Sequence, residues 1–114
     1  MNQEFNDILK KEYIKILTNE LKVLRAKAGI TQQELAKKLG ISRQMYGMIE
    51  NKTHDMTWNC FLSLIFLFRS NEDTAKILEW TGAYTPELKQ YLSLTESAKP
   101  MAAAARKSPS KTNE

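Results

Sequence analysis

Apolar side chains recur at Phe5, Ile8, Leu9, Tyr13, Ile16, Leu17, Leu21 and Leu24, spacings of three and four that draw one stripe along a helix. A helix over about 3–27 is predicted, with Gly29 as its stop. Thr31 with Glu34 three residues on is a capping box and opens a second helix over 32–39. Gly40 supplies a turn and Ser42 a cap, so a third helix follows over 43–50. Residues 51–56 have loop composition. Thr57 caps a fourth helix running through Phe68, whose apolar residues cover more than one face and predict a largely buried element. Asn71 or Asp73 begins a fifth, closed by Gly82, and Thr85-Pro86-Glu87 starts a sixth that ends near Leu94. No alternating strand pattern and no internal repeat is present, so the class is all-α, with one domain over 1–94.

The third element can be oriented from the second. Placing Leu35, Ala36 and Leu39 of one helix and Tyr46 and Ile49 of the next inward turns Arg43, Gln44, Gly47 and Met48 outward. Ala36 is small where two helices must cross closely, and Gly40 fits a turn that a side chain would strain. The whole segment TQQELAKKLGISRQMYGMIENK, residues 31–52, resembles the helix-turn-helix of lambda-repressor-like proteins of the Xre/Cro type, with its core over 31–50.

That resemblance implies a five-helix DNA-binding domain, here with an additional C-terminal helix. It also implies a transcriptional regulator, a repressor, acting as a homodimer on a palindromic operator in double-stranded DNA, with the helix over 43–50 in the major groove. Arg43 and Gln44 are then the leading base readers, since Arg bonds bidentately to guanine and Gln to adenine. Met48 would meet a thymine methyl, and Gly47 would allow a close backbone approach. Gln32 matches a position that bonds a backbone phosphate, and Arg25, Thr31, Ser42, Asn51 and Lys52 are further phosphate candidates. A bacterial or phage cytoplasmic setting comes with the resemblance. The sequence departs from the family pattern at Gly47, where Ser is common, at Lys52, where Gly is frequent, and at Tyr46, which replaces a β-branched anchor. A half-buried Tyr46 is expected, its hydroxyl reaching water, a phosphate or another partner.

Charge sharpens this picture. The 114 residues carry a formal net charge of +4, but 21–52 alone hold seven basic and two acidic side chains. More than the whole surplus sits where phosphates would be met. A single histidine, His54, in a surface loop and a single cysteine, Cys60, in an apolar run leave no metal site and no nucleophile–base pair, so neither catalysis nor a cofactor is expected. The longest apolar run, 58–68, is too short to span a bilayer, and no secretory signal pattern is seen. Residues 95–114, rich in Ala, Lys and Ser, are expected to form a disordered basic tail.

The fourth to sixth helices carry more large apolar side chains than a minimal five-helix domain hides, among them Trp58, Phe61, Leu62, Ile77, Trp80, Leu88 and Tyr91. Either the sixth helix closes the core or these residues form a dimer interface. The competing function is a protein-interaction module, an antitoxin or inhibitor that keeps the helix-turn-helix scaffold and uses these helices on a protein partner.

Overall fold

A computed structural model describes residues 6–94, as six helices: α1 (Asp7–Ala28), α2 (Gln32–Leu39), α3 (Arg43–Glu50), α4 (Trp58–Arg69), α5 (Glu72–Thr81) and α6 (Pro86–Leu92). No strand is present among the described residues, and the all-α expectation holds. The predicted tail over 95–114 lies outside the described residues. So does the predicted start near residue 3. The described first helix instead begins after Asn6, whose side chain accepts the Leu9 amide and fixes the N-terminus there.

The remaining boundaries follow local chemistry. Thr31, Ser42, Thr57, Asn71 and Thr85 each cap a helix by accepting a first-turn amide. Gly40 takes a left-handed φ of 77°, and its amide and that of Ile41 close the last turn of α2. Lys52 reaches the same region at φ 68°, the one non-glycine to do so among the described residues. This is the position where the family pattern favours Gly.

The core lies where α1 meets α4 and α5, with α3 packed on α1 and α2 packed on α3 and α4. Leu17, Leu21 and Leu24 of α1 are wholly buried with Leu35, Tyr46, Phe61, Leu64, Leu78 and Leu88. Each such side chain contributes roughly 1.5–3 kcal/mol of transfer free energy. Trp58 stacks on Phe61 with ring centroids 4.6 Å apart. Thr74 is buried because its hydroxyl donates to the Phe68 carbonyl, tying α5 to the end of α4. The Tyr13 and Thr85 hydroxyls are hydrogen-bonded to one another, which holds the cap of α6 against α1.

One expectation needs correction. Leu39 is half-buried at the edge of the core rather than inside it. The loop over 51–56 is found as expected, and its Met56 is buried because the segment after α3 folds back over the core. Cys60 is half-buried, and burial pushes its thiol pKa up. Part of the apolar surplus is buried and part is not. Leu78, Ala83 and Leu88 close the core, whereas Trp80 is 90% and Phe66 64% exposed.

Candidate nucleic-acid interface

The site is built around a buried carboxylate at the end of α3. Glu50 is only 4% exposed, and four donors converge on its two oxygens. Arg25 donates from Nε to Oε2 at 2.9 Å and from Nη2 to Oε1 at 3.0 Å. Gln32 Nε2 donates to Oε1 at 2.7 Å, and the Tyr46 hydroxyl donates to Oε2 at 2.9 Å. Burial alone would raise the Glu50 pKa, but the hydrogen bonds from Arg25, Gln32 and Tyr46 outweigh it and leave the carboxyl below its ordinary value. The bond to Glu50 raises the Arg25 pKa, so the pair stays charged. Burial, with the bond to Glu50, drives the Tyr46 phenol well above its usual range. Through these contacts the last turn of α1, the first residue of α2 and the whole of α3 are held at fixed relative positions.

Tyr46 is therefore not half-buried, as its hydroxyl suggested, but wholly buried, with Glu50 as its partner. The residue that sequence reasoning missed is Glu50. Its one local signal was the i, i+4 spacing from Tyr46, which places both on the inward face of α3.

The outward face of α3 is polar at its start. Arg43 and Gln44 are exposed, and Met48 and Gly47 are half-buried. Arg43 Nη1 comes within 3.5 Å of Gln32 Oε1, so one glutamine bonds Glu50 with its amide nitrogen and meets Arg43 with its oxygen. Gly47 sits beside the same group, since a Cβ there would stand 3.7 Å from Gln32 Oε1. Arg25, Thr31, Gln32 and Arg43 line one open cleft of about 490 Å³, together with Gln33, which was not anticipated.

The N-terminus of α2 opens at this cleft. Thr31 accepts the Glu34 amide while the Glu34 carboxylate accepts the Thr31 amide, and these bonds hold Glu34 below the usual carboxylate range. Ser42 accepts the Met45 amide as the cap of α3. Asn51 and Lys52 are exposed at the other end of α3, and Lys52 lines a separate groove. The anticipated site residues thus fall on two flanks of α3. Arg25 is the least free of them, since Nε, Nη1 and Nη2 already donate to Glu50 and the Ile30 carbonyl. His54 is exposed, with Nδ1 on the Asp55 carbonyl.

Among the described residues no group of three His, Cys, Asp or Glu side chains is placed to hold a metal ion, and no helix is long and apolar enough to cross a membrane. Residues 21–55 match the family model described as Helix-turn-helix. No curated protein and no solved structure gives a significant match to the chain.

Proposed function

Residues 21–55 are a helix-turn-helix of the lambda-repressor and Xre type, a DNA-binding regulator family, and on that premise we propose that this chain is a sequence-specific regulator of transcription, a repressor, that binds double-stranded DNA with α3 in the major groove. The observation that carries the reading is the pair Arg43 and Gln44, exposed on the first turn of a helix whose orientation is fixed from beneath by four hydrogen bonds to Glu50. A side chain reads a base edge only if its helix is held in place, and pre-organisation removes that ordering cost from binding.

In this reading Arg43 bonds guanine O6 and N7 and Gln44 bonds adenine N6 and N7. Met48 contacts a thymine methyl, and Gly47 lets the backbone approach closely. Thr31, Gln32 and the free N–H groups of Arg25 meet phosphate at the cleft, with Ser42, Asn51 and Lys52 adding contacts along α3. A homodimer on a palindromic site fits the same reading, with half-sites about 34 Å apart. It is supported by Trp80 and Val23, at 90% and 52% exposure on one apolar groove. Repression would then follow from occupancy of the operator.

The test is selection of bound sequences from random duplex DNA at about 150 mM salt, where nonspecific binding is weakened. A palindromic motif is expected, lost in Arg43→Ala and Gln44→Ala. The same exposed Trp80 and Phe66 favour a second reading, in which an antitoxin-like or inhibitor-like protein acts mainly on a protein partner. Absence of any enriched motif would favour it.

A further inference from the structure

We propose that the groove between α1 and the segment following α3 is a second phosphate-binding site, in which Lys11 and Lys15 of α1 join Lys52 and His54 to grip the DNA backbone on the far wall of the major groove. The inference rests on the DNA-binding reading and extends it to a part of α1 that lies outside the helix-turn-helix segment.

Lys11 and Lys15 are four residues apart, so they share one face of α1, and both line a groove of about 540 Å³ with Lys52, His54 and Asp55. Three ammonium groups face one carboxylate there. All three lysines are exposed, and none makes an ion pair among the described residues. Thr18, one turn further along the same face, also lines the groove, but its hydroxyl donates to the Ile14 carbonyl, so the lysines supply the charge there.

The placement matches the dimensions of DNA. α3 has eight residues, a length of about 12 Å at 1.5 Å per residue, and the major groove is about 12 Å wide. With α3 lying across the groove, groups at its two ends stand over opposite phosphate walls. The Gln32–Arg43 cleft occupies one end. Lys52, two residues beyond α3, occupies the other. α1 spans both, since Arg25 lines the first cleft and Lys15 and Lys11 the second. The separation along the helix is about 15–21 Å at the same rise per residue. One rigid helix thus reaches both walls, and its lysines carry charge without base information.

The experiment measures affinity of the full chain for random-sequence duplex DNA between 50 and 200 mM salt, for the parent, for Lys11→Gln/Lys15→Gln, and for a control, Lys27→Gln/Lys76→Gln, which removes the same charge from the Trp80 groove. Each lost phosphate contact lowers the slope of log K against log salt by about 0.9. The α1 double variant is expected to lose nearly two units of slope, so that its deficit against the parent narrows about tenfold across that range. The control should keep the parental slope. An α1 variant with the parental slope, or one no shallower than the control, overturns the inference while Arg43-dependent sequence preference still upholds the broader reading. A parent chain that binds no duplex DNA at all overturns both.

Discussion

Beneath the outward face of α2 and α3 the molecule is finished, whereas along α5, which packs on α1 and α4, it is not. Under α3 every oxygen of the buried Glu50 carboxylate is matched by donors from three elements, and what remains outside is polar and charged. On α5 an indole stands 90% exposed beside Val23, rimmed by Glu20, Lys27, Asp73, Lys76 and Glu79. A polar face can wait in water at little cost. A large apolar one is favoured only when something covers it. The difference is one of completion: α3 is oriented from within the chain, whereas the indole on α5 is left uncovered by the described residues.

The strongest way to break this comparison is to unseat α3. Glu50→Ala leaves the Arg25 guanidinium without its carboxylate and the Tyr46 hydroxyl buried without a partner, and removal of one member of a buried pair costs about 3–5 kcal/mol. The expected result is a fall of that size in the free energy of urea unfolding. A loss below about 1 kcal/mol would mean that the carboxylate is not what holds α3.

The same network sets a pH dependence of known sign. The folded Glu50 pKa lies below its ordinary value, so its contribution is fully present above the unfolded pKa of about 4.3 and is lost as pH falls through the folded value. Between those limits the slope is at most about 1.4 kcal/mol per pH unit for one proton. Unfolding of the parent and of Glu50→Gln, measured from pH 3 to pH 7, should differ by a constant amount above about pH 5 and converge below it. Parallel curves throughout would show that the carboxyl titrates as it does in the unfolded chain.

How much of this was legible in the sequence depends on the range of the interaction. Caps at Thr31, Ser42, Thr57 and Thr85 and the stop at Gly40 were readable because each acts within four residues. The outward turn of Arg43 and Gln44 was readable from helical periodicity. Glu50 was not, because Arg25 lies 25 residues away and only the tertiary crossing of α1 and α3 joins them. Tyr46 was misjudged although Glu50 is only four residues on, because that carboxylate is a buried partner only once Arg25 and Gln32 hold it. Trp80 was readable only as part of an apolar surplus, and the sequence could not say that no helix among the described residues covers it.

A smaller effect probes the surface of α3 itself. Gly47 adopts ordinary helical backbone, and an added Cβ would meet only Gln32 Oε1, at 3.7 Å, an ordinary contact. Gly47→Ala should therefore stabilise the fold by about 0.5–1 kcal/mol. If the glycine serves close approach to DNA, the same variant binds duplex DNA more weakly despite its higher melting temperature. Higher stability with unchanged affinity would remove Gly47 from the reading face.

The smallest effect on folding is expected at Trp80, and it tests the unfinished side directly. A side chain 90% exposed contributes little to the folded monomer, so Trp80→Ser should change unfolding free energy by no more than about 0.5 kcal/mol. Its effect belongs to association. An indole buries some 150–250 Å² when covered, so at about 25 cal/mol per Å² its loss costs roughly 4–6 kcal/mol of gross contact for each copy, and about twice that in a twofold dimer that uses both. Sedimentation equilibrium at micromolar concentration should then show the parent as a dimer and Trp80→Ser as a monomer, both with the same helical content. A monomeric parent would assign the α5 groove to a different protein, and the two sides of the molecule would then serve two different ligands rather than one symmetric complex.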